Sequence, residues 1–345
     1  MKLSPAQLDR AAGTLVATAV GDALGAGYEF GPALPASAPV AMKGGGPFGF
    51  GPAEWTDDTS MAVTIATSIL DALDAGQSAA GERSLSGMVT GWQAWAAESK
   101  DVGAQTGSVL RRAAHLMAAG KAADQAAFAA ARAHHESAGR SAGNGSLMRT
   151  APVALAFLSS VAGLWEAAGR ISALTHYEAD STEACQLWTA AIRHAVLEGE
   201  LDVRVGLPLL DDGRAEVWRS RIDVAEASHP CDFKNNGWVV EAFQGAWSAI
   251  FRALASAGAV GPEALRLSLE NAVRGGNDTD TVAAIAGGLI GAAAGYPTIP
   301  ADWLGRLHGW GATGERALVK LSLDLVAGRR RPHHGPRVPA TDYNY

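Results

Sequence analysis

The chain has 345 residues, 48% hydrophobic and 18% charged, with a formal net charge of -7. That apolar share excludes a disordered chain, and the 41 glycines follow no triplet period, which excludes collagen. The acidic balance disfavours an extended nucleic-acid surface. Two cysteines, Cys185 and Cys231, are too few for a disulfide framework and suit a reducing compartment. The N-terminus does not read as a secretory signal, and the longest uncharged apolar run, Thr281 to Pro297, is too short and glycine-rich for a membrane span. A monomeric cytoplasmic protein with a large core and no membrane partner is the expectation.

Alanine is abundant and has the best intrinsic helix propensity. In chain order, Leu8, Ala12, Leu15, Ala19 and Ala23 form one helical stripe, and Met61, Ile65, Ile69 and Leu73 a second. Further helices are predicted at 86–98, 105–119, 122–135, 146–158, 180–198, 237–257, 262–273, 281–294 and 314–327. Period-2 alternation is nearly absent, so the fold class is all-α. Three breaks interrupt the helices: a Gly/Pro-rich connection over 31–54, SAGRSAGNGS from Ser137 to Ser146, and RGGNDT from Arg274 to Thr279. Long structureless connections of this kind are usually functional or disordered. With no repeat and no composition shift, residues 1–328 read as one domain and 329–345 as an extended or mobile tail.

Two of these breaks open helices with carboxylates. Thr56-Asp57-Asp58-Thr59 precedes the Met61 helix, and Asp278-Thr279-Asp280-Thr281 opens the helix at 281–294. Each has an ordinary reading, since Thr caps helices and acidic residues complement the first turn. Taken together they favour a metal site. Consecutive carboxylates on a helix diverge by about 100° and can serve two cations. Asp278 and Asp280 can face one ion, and closely spaced carboxylates repel unless compensated. All-oxygen donors favour Mg²⁺ or Mn²⁺, and no zinc spacing of Cys and His is present. Gly143-Asn144-Gly145-Ser146 could offer backbone amides to a phosphate. Glu29, Asp101 and the lone His176 are ordinary surface or structural residues when read alone.

In this order, GDALGAGYEF, EWTDDTSMAV, KDVGAQT, GNGSLMR, THYEADS, GWVVEAFQGAW and GGNDTDTVAAIAGGLIGA resemble the ADP-ribosylglycohydrolase family over most of the chain. The TDD and DTDT segments are the specific ones. The resemblance implies a compact single-domain orthogonal multi-helix bundle with a binuclear Mg²⁺ or Mn²⁺ cleft. It also implies a metal-dependent hydrolase that releases ADP-ribose from ADP-ribosylated protein or small-molecule substrates by cleavage at ribose C1″. By that likeness Thr56, Asp57, Asp58, Asp278, Asp280 and Thr281 are the metal ligands. Asn144, Gly145 and Ser146 cradle the diphosphate, Gly143 shapes the turn, and His176 contacts ribose or phosphate. Glu29 matches an acidic residue near the first metal, and Asp101 one that approaches the scissile linkage. Asp57, Asp58, Asp101, Asp280 and Glu29 are the candidate catalytic residues. The segment Ala104-Gln105-Thr106 departs from the paired threonines of many relatives. A non-catalytic ADP-ribose binder and another two-metal hydrolase acting on a phosphate ester are the competing readings.

Overall fold

The computed structural model describes residues 2–329. Among them the chain forms α1 (Pro5–Gly25), α2 (Asp57–Asp74), α3 (Glu82–Glu98), α4 (Ala104–Ala118), α5 (Ala123–Ala138), α6 (Ala151–Ala156) and α7 (Val161–Ala173). It continues with α8 (Ala179–Glu198), α9 (Asp212–Ala227), α10 (Val239–Ala257), α11 (Pro262–Arg274), α12 (Thr279–Ala294), α13 (Ala301–Leu304) and α14 (Glu315–Ala327). Only isolated β-bridges occur among the described residues, so the all-α expectation holds. No helix is long and apolar enough to cross a membrane. Most of the tail at 329–345 lies outside the described residues.

The fold is organised around α1 and α12, antiparallel neighbours whose backbones touch. The reason is a stripe of small residues at four-residue spacing, which brings the same face of a helix round each turn. Gly13 meets Gly291, Gly287 meets Ala17, and Gly21 meets Ala283. A Cβ added at Gly287 would stand 2.1 Å from the Ala17 carbonyl oxygen, so no larger residue fits there. Gly25 ends the stripe against the backbone of Asp280. The two helices therefore deliver the end of α1 and the start of α12 to one place. Around this pair α14 covers α1, α2 and α6, α8 packs on α7 and α12, and α10 joins α9, α11 and α12.

The structure differs locally from the predicted elements. The helix expected at 146–158 is split into a 3₁₀ turn at Asn144–Ser146 and the short α6, which restarts with Pro152 in its first turn. Proline cannot donate a backbone bond but suits a first turn. Helices α7 and α9 occupy stretches where no helix is predicted. α9 buries only Ala215, Trp218, Ile222 and Ala225, a stripe too narrow to stand out in its charged sequence. It is held by α8 instead, through Arg221 Nη1 to Asp180 Oδ1 at 2.9 Å and Trp218 Nε1 to Glu183 Oε2 at 2.6 Å.

The connection at 31–54 folds without helix against two other loops. Phe30 N donates to Asn277 O at 2.6 Å, Leu34 N to Arg274 O at 2.9 Å, and Trp55 N to His308 O at 2.9 Å.

Candidate metal centre and ligand cleft

The start of α2 is capped from another helix. Thr56 stands at the N-cap, yet its side chain makes no capping bond. Asp22, from α1, does so instead. Its Oδ1 accepts the Thr56 amide at 2.8 Å, and its Oδ2 accepts the Thr59 amide at 3.0 Å and the Thr59 hydroxyl at 2.6 Å. This leaves Thr56 Oγ1 to donate to Asp58 Oδ2 at 3.1 Å, 3.5 Å from Asp280 Oδ2. The ordinary capping explanation of Thr56 therefore fails on geometry.

The start of α12 is shaped by amides from two loops. Asn236 Oδ1 accepts the Asp278 amide at 3.0 Å, and Asn236 Nδ2 donates to Gly276 O at 3.0 Å. Asn144 Nδ2 donates to Asp278 Oδ2 at 2.7 Å. Asn277 adopts φ 60° and pairs with Gly31, which draws the segment carrying Glu29 onto the carboxylates.

The result is two groups of oxygens. Asp22, Asp58 and Asp280 each place one carboxylate oxygen within 4.8 Å of the others, as do Glu29, Asp278 and Asp280. Asp280 belongs to both. As the helical repeat requires, Asp57 and Asp58 diverge: Asp57 faces the cleft and Asp58 is fully buried behind it.

Burial is the first cause of unusual protonation throughout the cluster. It raises Asp57 and Asp58 well above the usual range, with neighbouring carboxylates adding to the effect. Asp280 is raised in the same way, by burial and then by Asp58. Asp278 is also raised by burial. Glu29 is pushed up to about 9 by burial and by Asp278, Asp101 and Asp57. Asp22 and Asp101 each rise to about 6. Two buried oxygens, Asp58 Oδ1 and Glu29 Oε2, have no hydrogen-bond partner. Crowded, desolvated carboxylates with orphaned oxygens fit a hard divalent cation, whose charge relieves both the repulsion and the lost hydration.

A cavity of about 250 Å³ opens beside this cluster. Glu29, Asp57, Asp101, Asp278, Asp280 and Thr281 line it, together with Gly143, Asn144, Gly145 and His176. Thr56 and Asp58 lie behind its wall. Ser146 does not face it: its hydroxyl accepts from Ser172 Oγ at 3.0 Å in the core. The GNGS segment is the 3₁₀ turn and not the mouth of a long helix, and the Asn144 amide is engaged by Gly237 O at 3.0 Å. His176 is 1% exposed, and burial followed by nearby Arg149 holds its pKa well below the ordinary value. A larger recess of about 800 Å³, lined by Phe50, Trp55, Trp95 and Trp310, lies beyond Thr56 and holds none of the clustered carboxylates.

Asp22, Asn236 and Arg149 belong to this architecture although the sequence reading singled out none of them as a site residue. Asp22 has the clearest signal, a single charge inside an otherwise apolar helical stripe. Asn236 reads only as a turn residue within KNNGW.

Residues 3–334 match the family model described as ADP-ribosylglycohydrolase. The chain is 28% identical over 310 residues to an ADP-ribosylarginine hydrolase of Pseudomonas putida, covering 88% of this chain and 75% of that one. It is 26% identical over 302 residues to an ADP-ribosylarginine hydrolase of Serratia proteamaculans, covering 87% and 75%. It is 27% identical over 312 residues to an ADP-ribosyl-[dinitrogen reductase] glycohydrolase of Rhodospirillum rubrum, covering 88% and 92%. A solved structure titled ADP-ribosylglycohydrolase-related protein complex superposes with a TM-score of 0.67 at 27% identity, covering 93% of this chain and 98% of that one.

Proposed function

The chain belongs to the ADP-ribosylglycohydrolase family, and from that premise we propose that it releases ADP-ribose from modified substrates by hydrolysing the glycosidic bond at ribose C1″. The observation that carries this reading is the pair of carboxylate groups sharing Asp280 at the wall of the cleft. Arginine-linked ADP-ribose on protein is the first substrate class to test, because two of the relatives are named for it.

Thr56, Asp57, Asp58, Asp278, Asp280 and Thr281 would hold two Mg²⁺ or Mn²⁺ ions, with Glu29 completing the second group of oxygens. Asp22 has both oxygens engaged by α2 and acts by positioning that helix. When bound, such ions supply Lewis acidity to water and sugar hydroxyls and neutralise the cluster. The transition state carries positive charge at C1″, and the carboxylate-rich wall stabilises it. Asp101 lines the cleft and, raised to about 6 by burial and by Asp278 and Asp22, can hold a proton on its carboxyl near neutrality. That proton would pass to the leaving nitrogen or oxygen as the bond to C1″ breaks, while water delivers its hydroxyl to C1″ and its other proton to a carboxylate of the cluster. Gly145 would meet the diphosphate through its backbone, with Gly143 shaping the turn and Ser146 turned to the core. Asn144, tied to Asp278, orients that carboxylate.

The decisive experiment is a panel of defined ADP-ribosylated substrates with Mg²⁺, Mn²⁺ or EDTA, assayed for product. Free ADP-ribose supports the reading; AMP or inorganic phosphate identifies a phosphate-ester hydrolase, and binding without turnover identifies a non-catalytic binder. Asp280→Ala should lower metal-dependent release by about 100-fold or more while helical content stays near the parent's. Parent-like turnover in that variant would remove the binuclear reading.

A further inference from the structure

The ligand cleft and the larger recess back onto each other. Asp101 lines the cleft while its neighbour Lys100 lines the recess, and Asp57 and Thr56 divide between them in the same way. Lys100 is held on the recess side. Its Nζ donates to Glu54 Oε1 at 2.8 Å and Oε2 at 2.7 Å, and lies 5.1 Å from the centroid of the Phe50 ring. Trp310 Nε1 donates to Glu98 Oε2 at 3.2 Å, and Trp310 O accepts from Trp55 Nε1 at 3.2 Å. The recess is thus braced by its own bonds, which lowers the ordering cost of filling it.

A ridge of phenylalanines joins the two cavities. Phe30 lines the cleft, Phe50 lines the recess, and Phe48 stands between them. The Phe48 ring centroid is 6.3 Å from that of Phe30 and 6.4 Å from that of Phe50, edge to face in both pairs. Phe30 is 66% exposed and adopts φ 57°. A large apolar ring in water and a positive φ at a bulky residue are both unfavourable. Neither serves the core, since Phe30 and Phe48 lie outside the hydrophobic cluster. A contiguous aromatic surface leading out of a ligand cleft is the signature of a contact with a partner.

We infer that this ridge and recess dock the polypeptide that carries the modified residue. The assignment rests on the proposed glycohydrolase reading, in which Asp101 gives its proton to the leaving atom. The leaving group then lies on the Asp101 side of C1″, and the surface next to Asp101 is Lys100 and the recess. A free modified amino acid ends at Asp101. A longer chain continues over Phe30 and Phe48 towards the recess, with an apolar side chain next to the modified residue set on the ridge. The net charge of -7 makes a nucleic acid a poor occupant of the same surface.

Steady-state hydrolysis by the full chain with Mg²⁺ tests this on three probes. They are free ADP-ribosylarginine and short arginine-ADP-ribosylated peptides with either leucine or glycine on both sides of the modified residue. The parent should favour the leucine peptide over the glycine peptide by about tenfold in kcat/KM, chiefly through KM. Phe48→Ala should remove most of that preference, and Phe48→Leu should restore it. Phe30→Asn, in which asparagine tolerates the positive φ, should act like Phe48→Ala. Turnover of free ADP-ribosylarginine should stay within about twofold of the parent in all three variants. No preference in the parent, or an equal loss on all three probes in both Phe48→Ala and Phe30→Asn, would overturn the inference. If the parent hydrolyses none of the probes, the arginine-linked glycohydrolase reading fails and the docking assignment falls with it, whereas failure of the docking assignment alone leaves turnover intact.

Discussion

Three donors converge on the Asp22 carboxylate, two from the backbone and one from the Thr59 hydroxyl, and all belong to the first turn of α2. A single amide oxygen could not satisfy both sides of that arrangement. Asp22→Asn should therefore cost about 1–3 kcal/mol, the penalty for leaving buried donors unpaired. Thermal denaturation measures that loss, and calorimetric titration of Mg²⁺ should show weakened binding because Asp57 and Asp58 ride on the same turn. An unchanged melting temperature would show that Asp22 does not cap α2. Local sequence makes Thr56 the expected cap, and the reassignment to Asp22 arises because α1 ends against the start of α2. Asp22 was visible as an isolated charge in an apolar stripe, but the residues it would serve were not.

At the scale of elements, the small-residue stripe between α1 and α12 places the site. Gly287 faces the Ala17 carbonyl oxygen so closely that even a methyl group collides with backbone. Gly287→Ala should destabilise the fold by about 1–3 kcal/mol through overpacking, although alanine gains ~1 kcal/mol in helix propensity over glycine. A stability increase in urea unfolding would contradict the close packing. Helix α9 depends on charge where α12 depends on shape. Burial alone would raise Asp180, but its bonds to Arg221 and Arg214 outweigh that and hold its pKa below the ordinary value. A lowered folded-state pKa contributes stability above the unfolded value, and that contribution is lost as pH falls through the folded one. Asp180→Asn should cost about 1–3 kcal/mol at pH 7, and the difference from the parent should shrink in acid melts. The strongly apolar helices were legible from their periodicity, whereas α9 was not, because its partner is an ion network on α8.

For the molecule as a whole, the net charge of -7 conceals a carboxylate cluster whose pKa values lie far from ordinary. A raised acid pKa means that the folded state holds protons more tightly than the unfolded chain. That contribution is fully present below the ordinary values, 3.8 for Asp and 4.5 for Glu, and is lost as pH rises from there through the folded ones, about 6 for Asp22 and Asp101 and about 9 for Glu29. Divalent cations compete with those protons for the same oxygens. The gain in melting temperature on adding Mg²⁺ should therefore be larger at pH 8 than at pH 5.5. Saturation at a hundred times the dissociation constant corresponds to about 2.7 kcal/mol of added stability. Equal gains at both pH values would argue that the carboxylates are not the ligands.

The all-α class, the main helices and the two acidic segments were written in the sequence itself, because hydrophobic period and helix-start chemistry are local properties. Their meeting was not. Asp58 and Asp280 lie 222 positions apart in the chain, and only the backbone contact of α1 with α12 and the capping of α2 by Asp22 bring them into one cluster. Tertiary structure also turned the Ser146 hydroxyl into the core and placed His176 Nδ1 against the Thr175 hydroxyl that Arg149 engages. Burial decides both, since a buried polar atom must find its partner in three dimensions whatever its neighbours in sequence.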